Sequence, residues 1–272
     1  MKQDAKTIPA FTDQVVWVTG ASSGIGEALA LAFSAAGALL ILSARREAEL
    51  QRVAKLTGLP ESRYLLLPLD LADAEALYMK AETALARWGR VDIMVHNGGI
   101  SQRSLAKDTA LAVDRAIMEV NYFGAAALTK ALLPSMLTRK VGHFVVVSSL
   151  VGKFGTPLRS GYSASKHALH GFFESLRAEV WREGILVTMV CPGFIRTQVS
   201  VNALTGSGDK QNTMDTAQAN GMPPEICARK VLQAVSEGKN EVYIGGREIL
   251  GVYLKRLLPG MFAKVIRKAK VT

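Results

Sequence analysis

Seven short apolar runs, six of them followed by a helix-length stretch, constrain this chain more than any other feature. The runs lie at residues 14–19, 38–43, 64–69, 91–96, 143–149, 185–191 and 241–244. The helical stretches span 24–36, 46–56, 72–88, 113–137, 162–181 and 224–236. Runs such as "VVWV" and "HFVVV" are nearly continuous in apolar residues rather than alternating. A strand of that kind needs cover on both faces, which helices on either side of a parallel sheet provide. The pattern predicts one α/β domain over residues 1–250, with a seven-stranded, mostly parallel, doubly wound sheet. Right-handed crossovers put the ligand crevice at the carboxyl ends of such strands. Residues 194–223 are long for a connection and predict a lid over that crevice.

The 272 residues suffice for a core of this size. Cys191 and Cys227 stand too far apart for a thiolate cluster and make no disulfide framework, which fits a reducing compartment. The opening "MKQDAKTIPAF" carries an acid and lacks the apolar core of a secretory leader. No run of eighteen apolar residues occurs, so a cytoplasmic protein is expected. The formal net charge is +10, but six bases fall between Lys255 and Lys270, where no acid occurs. Basicity gathered at one end argues against a nucleic-acid surface spread over the fold.

Directly after the first strand comes "TGASSGIGEALA". Gly20, Gly24 and Gly26 fall at the strand–helix junction, with Ser22, Ser23 and Ile25 among them. A pyrophosphate at a helix N-terminus needs a tight turn and close approach to backbone N–H groups. Small residues allow both, and the flanking strand and helix distinguish this stretch from a plain glycine-rich connector. The prediction is a Rossmann-like dinucleotide site. The second strand ends in "SARR", with no acid to take the adenosine ribose hydroxyls. Arg45 and Arg46 offer guanidinium forks for a 2′-phosphate, which predicts NADP(H) in preference to NAD(H). Asp70, followed by Leu71, is placed either for an adenine contact or for capping the next helix.

Ser149 ends the fifth strand. Tyr162 and Lys166 stand four apart at the head of the following helix, on one face. A phenol with a pKa of about 10 is a weak acid–base group at neutral pH. An ammonium nearby favours its phenolate and eases proton exchange.

"TGASSGIG", "HNGG", Asn121 in "EVNYFG", the Ser149–Tyr162–Lys166 set and "PGFIRT" at 192–197 together resemble the short-chain dehydrogenase/reductase family. The resemblance runs from about residue 14 to 245. The "SARR" corner and the loop "NALTGSGDK" are similar to a subgroup of orphan reductases, some with membrane-associated relatives. The family resemblance implies hydride transfer between NADP(H) and a carbonyl or alcohol. In that scheme Tyr162 is the general acid or base and Ser149 positions the oxygen. Lys166 holds the nicotinamide ribose and lowers the phenol's pKa, and Asn121 binds a water joined to Lys166. Pro192, Gly193, Ile195 and Thr197 lie beside the nicotinamide, Asn97 ties strands together, and Gly98 and Gly99 leave room for the cofactor. A homodimer or homotetramer through the family's fourth and fifth helices is also implied. A catalytically silent nucleotide-binding regulatory protein on the same fold is the alternative.

His96 stands where the family usually has an asparagine. It is expected to take over a structural hydrogen bond, the alternative being a proton relay or substrate contact. His143, His167 and His170 show no cysteine or acid that would complete a metal site, and none is expected. Leu150, Phe154, Phe194 and Val199 are expected in the substrate wall, with Arg159 and Arg196 as the charges available to an anion. This composition predicts a lipophilic carbonyl or alcohol substrate. Along the extension 251–272, apolar residues from Val252 to Ile266 recur at helical spacing among the bases, and Pro259 and Gly260 divide it into two short helices. The extension suits either an anionic surface at the inner face of a membrane or packing on the body or a second subunit.

Overall fold

Val15, Val16, Trp17 and Val18 are fully buried, and the strand they form, β1 (Val15–Thr19), lies inside the sheet with a neighbour on each side. The computed structural model describes residues 9–269, so most of the stretch read as lacking a leader, and Lys270 at the end of the extension, lie outside the described residues. α1 (Gly24–Ala35) leads to β2 (Leu39–Ser43), α2 (Glu47–Thr57) to β3 (Tyr64–Leu66), and α3 (Ala74–Trp88) to β4 (Ile93–His96). The chain then runs through α4 (Leu111–Met118), a π-turn (Glu119–Phe123) and α5 (Gly124–Arg139) into β5 (Gly142–Val147). α6 (Ser160–Glu179), β6 (Ile185–Pro192), the short α7 (Thr216–Ala219), α8 (Pro224–Ser236) and β7 (Glu241–Ile244) follow. The sheet order is β3-β2-β1-β4-β5-β6-β7, and every pairing is parallel. This is the doubly wound, Rossmann-like α/β sheet that the apolar runs predict. Its winding reverses between β1 and β4, which opens a crevice at their carboxyl ends.

Successive residues of each strand face opposite layers. Val16, Val18, Leu40 and Leu42 pack with Leu29, Phe33, Val53 and Leu232 on one side. Val15, Trp17, Ile41 and Met94 face the other way, onto Leu77, Leu128, Leu132 and Phe173. Both faces are dry, which is why the strands read as continuous apolar runs. Truncating the fully buried Phe173 to alanine removes about 3–5 kcal/mol of packing. A buried polar chain links β1, β2 and the residue after β3: Trp17 Nε1 donates to Ser43 Oγ at 2.8 Å, which donates to Leu67 O at 2.7 Å.

The single helix predicted over 113–137 is interrupted by the π-turn, which carries Asn121. One inserted residue leaves the apolar period nearly intact, so sequence periodicity does not reveal it. Residues 194–223 hold one short helix, α7, within an otherwise irregular segment that bridges to Gln102 through Leu204. Beyond β7, α9 (Leu250–Leu257) and α10 (Pro259–Ile266) form the two predicted helices, with Pro259 in the first turn of α10, where its missing N–H is no loss. Phe262 is buried against Phe154, ring centroids 5.2 Å apart, in a cluster with Leu150 and Cys191. Leu257, Leu258, Met261 and Val265 stay exposed. The apolar stripe is therefore shared between the body and solvent. No helix among the described residues is long and apolar enough to cross a membrane.

Candidate active site

The glycine turn is built by close backbone approach. At Gly20 φ is +66°, and a Cβ there would lie 2.8 Å from Gly98 Cα. A Cβ on Gly26 would fall on Gly20 O, so Gly26 lies behind the turn rather than in the crevice wall. Asn97 Nδ2 donates to Thr19 O at 2.9 Å and to Gly20 O at 3.3 Å, tying the ends of β1 and β4 together. Ser23, at the start of α1, makes no side-chain cap. The first N–H groups of α1 are thus left to a ligand, and Ser22, Ser23, Gly24 and Ile25 line the crevice beside them. This cradle fits a dinucleotide pyrophosphate. Arg45 and Arg46 are exposed at its rim, past the end of β2. Asp73, not Asp70, caps α3, its Oδ1 accepting from Ala76 N–H at 3.1 Å. Asp70 instead accepts from Ala72 N–H at 3.0 Å and lines the crevice with Leu71.

At the other end of the crevice, Ser149 follows β5 and donates from Oγ to Pro192 O at 3.3 Å. Lys166 Nζ lies 5.7 Å from the Tyr162 ring centroid and donates to Val147 O at 2.9 Å. Asn121 sits behind Gly99 and does not line the crevice. Its Nδ2 donates to Ile100 O and to Ser165 Oγ, both at 2.9 Å, while its Oδ1 accepts from Ile100 N–H at 2.8 Å. A Cβ on Gly99 would lie 2.9 Å from Asn121 Oδ1 and 3.6 Å from Lys166 Nζ, so the two groups converge there. Pro192, Gly193, Ile195 and Thr197 form the facing wall, and Gln218 of α7 holds it by donating to Ile195 O. The whole crevice encloses about 1370 Å³ and reaches the extension helices through Leu254 and Phe262. That exceeds an ordinary small-molecule pocket and leaves space for a dinucleotide together with a substrate.

A family model described as short chain dehydrogenase matches residues 14–207. The chain belongs to the short-chain dehydrogenase/reductase family. A dehydrogenase/reductase SDR family protein 7-like of Anopheles gambiae is 44% identical over 274 residues, covering 98% of this chain and 86% of its own. Dehydrogenase/reductase SDR family member 7B of Xenopus tropicalis is 46% identical, over 92% of this chain and 83% of its own. A short-chain dehydrogenase from Streptomyces avermitilis matches the structure with a TM-score of 0.81 at 33% identity, over 94% of this chain and 96% of that one. The chemistry of the family, hydride exchange between a nicotinamide dinucleotide and a carbonyl or alcohol, is therefore the general chemistry of this dehydrogenase.

Several site features of the dehydrogenase were not visible in its sequence. The first turn of α6 has no cap of its own. Gln102, fully buried, takes that place: its Oε1 accepts from Gly161 N–H at 2.8 Å and Tyr162 N–H at 3.3 Å. Next to it, Arg103 donates from Nε and Nη2 to Asp215 Oδ2 at 2.7 and 2.5 Å. Arg159 Nη2 is 3.5 Å from the same oxygen, and its guanidinium lies 5.8 Å from the Phe194 ring centroid. Arg196, the other cation expected near substrate, is exposed and outside this wall. Burial raises the Tyr162 phenol above its ordinary value, while Arg159, then Arg103, and a hydrogen bond with Ser149 pull it back. Lys166, whose ammonium lies over the Tyr162 ring, donates to Val147 O, and burial lowers its own pKa to about 8.

The histidines divide by environment. His96 is buried on the α6 side of the sheet, its Nε2 2.8 Å from Thr129 Oγ1 and its ring stacked on Phe144. Burial pushes its pKa down to about 3, so it is neutral and makes the structural hydrogen bond. His143 pairs with Thr188 at 2.8 Å, and His167 with Ser163 O at 2.8 Å. Around His170 the fold corrects the sequence reading. It brings Cys191 Sγ to 3.6 Å from Nε2 and Glu174 to 3.2 Å from Nδ1, with Glu241 beside the thiol at 3.5 Å. The donor atoms of His170, Cys191 and Glu241 lie within 4.8 Å of one another. Lys153 Nζ, 2.8 Å from Glu241, supplies a cation to this group.

Proposed function

We propose that this dehydrogenase is an NADPH-dependent carbonyl reductase for a lipophilic ketone or aldehyde, with Tyr162 as its general acid. The observation that carries the reading is the convergence of Tyr162, Ser149, Lys166 and the pyrophosphate cradle on one crevice. When bound, the nicotinamide dinucleotide supplies the hydride. Ser149 Oγ holds the carbonyl oxygen, and the Tyr162 hydroxyl gives its proton to that oxygen as negative charge develops. Arg159, Arg103 and Ser149 stabilise the phenolate left behind. Lys166 passes a proton back from solvent through a water that Asn121 would hold.

Arg45 and Arg46 support NADP(H) over NAD(H), since both are exposed at the crevice end nearest an adenosine 2′-phosphate. Residues 1–250 act as the catalytic domain, and 194–223 as its lid. Leu150, Phe154, Leu254 and Phe262 supply an apolar wall for the substrate. The protein is cytoplasmic, and exposed Leu257 and Val265 among Lys255, Arg256, Lys264 and Lys268 support peripheral attachment to an anionic membrane surface. Self-association as a dimer or tetramer uses α5 and α6.

The Tyr162→Phe variant tests the mechanism. NADPH oxidation with a panel of lipophilic ketones is expected to fall by about a thousandfold, while NADPH affinity, read by cofactor fluorescence, stays within about threefold. A wild-type protein that binds NADPH and reduces none of the panel is the silent nucleotide-binding protein instead.

A further inference from the structure

Besides acting on the phenol, Arg159 puts a guanidinium into the wall of the crevice. It is 6% exposed, lines the same crevice as Ser149 and Tyr162, and lies three residues before Tyr162 at the head of α6. Its position is set by parts drawn from distant segments. The Phe194 ring lies under its guanidinium at 5.8 Å, and Asp215 Oδ2 is 3.5 Å away. Asp215 is itself clamped by Arg103 at 2.5 and 2.7 Å and by Gln211 Nε2 at 3.0 Å. Burial draws the Arg159 pKa down to about 10, which leaves it charged at neutral pH. A buried, preorganised guanidinium matches the oxygens of a carboxylate or phosphate. The wall supplied by the extension, through Leu254, Leu258, Phe262 and Ile266, is apolar.

We infer that Arg159, keyed by Asp215 and Arg103, is a specificity-determining residue that binds an acidic group, carboxylate or phosphate monoester, on a substrate whose remainder is a hydrocarbon chain along α9 and α10. This rests on the reductase reading of the same crevice. It narrows the substrate from lipophilic to amphiphilic and acidic.

Calorimetry on the NADP⁺-saturated protein tests it with dodecyl phosphate, dodecanoate and dodecanol, each below its aggregation limit. At least one acid is expected to bind about tenfold or more tighter than the alcohol, and the better of the two identifies the group. Arg159→Gln should remove that preference and Arg159→Lys should keep part of it. The wild-type comparison of acid with alcohol decides the matter even if Arg159→Gln does not fold. Equal affinity for acids and alcohol, or a preference unchanged in a folded Arg159→Gln protein, overturns the inference. So does a variant whose pH profile of turnover shifts while its acid preference persists, because Arg159 then acts through Tyr162 alone. NADPH oxidation with a long-chain keto acid and its methyl ester separates the two readings. Reduction of the ester as efficiently as the acid sinks the acidic-group inference and leaves the reductase. Arg159-dependent binding of acids with neither compound reduced keeps the anion site and sinks the reductase.

Discussion

The two ends of the crevice are made of different materials. At the cofactor end the working parts are backbone: the glycine turn, the open N–H groups of α1, and the slim chain at Gly98. They are held by neutral hydrogen bonds from Asn97 to Thr19 and Gly20, across two adjacent strands. At the substrate end the working parts are side chains. Gln102, Arg103, Arg159 and Asp215 are buried together although Arg103 and Asp215 are 112 residues apart. The cradle depends on the absence of side chains, and the charge cluster on the presence of each of its members. A substitution in the cluster should therefore be felt through the whole fold, and one at the cradle rim only by the ligand.

The sharpest way to break that contrast is Asp215→Ala. The variant removes the carboxylate that sits between two buried guanidiniums, and loss of one partner from a buried ion pair costs about 3–5 kcal/mol. Chemical denaturation should show a loss of that size. A loss under about 1 kcal/mol would mean that the cluster is solvated like a surface pair, and the contrast would fail.

Arg45→Ala probes the other end with a smaller effect. Arg45 is exposed, so its loss should leave stability within about 0.5 kcal/mol. NADPH affinity should drop about tenfold, or about 1.4 kcal/mol, while NADH affinity stays level. Equal weakening of both cofactors would show that Arg45 does not read a 2′-phosphate.

What could be read from the sequence follows the same division. The strands, the glycine turn and the Ser149–Tyr162–Lys166 set are legible because each is a local pattern: apolar runs, small residues at a junction, a four-residue spacing. Gln102, Arg103 and Asp215 look like ordinary polar loop residues, since their meaning comes only from one another. Cys191 and Glu241 acquire His170 as a neighbour only when β6 and β7 pair and α6 packs over them. In the extension, helical spacing shows the stripe but not its division. Phe262 turns inward onto Phe154 while Leu257 is 74% exposed, because the seats are set by what the body presents and not by the spacing.

His96 sharpens the comparison from a third position. It closes β4 beside Asn97 but points to the opposite face of the sheet, onto Phe144 and Phe173. Burial lowers its folded pKa from 6.5 to about 3. Between those values the unfolded chain binds a proton that the native chain excludes. Its contribution is thus whole above pH 6.5 and is lost as pH falls toward 3, by about 1.4 kcal/mol per pH unit. His143, lowered to about 4, acts in the same direction over a narrower window. His96→Asn should make the stability curve shallower across this range by that one group. Carbonyl reduction at neutral pH should stay within about threefold, since a neutral imidazole outside the crevice wall moves no proton there. An unchanged acid slope would mean that His96 titrates freely in the fold. A large loss of turnover in a folded variant would bring the core beneath α6 into the chemistry, and the division between a backbone cradle and a side-chain cluster would no longer describe the site.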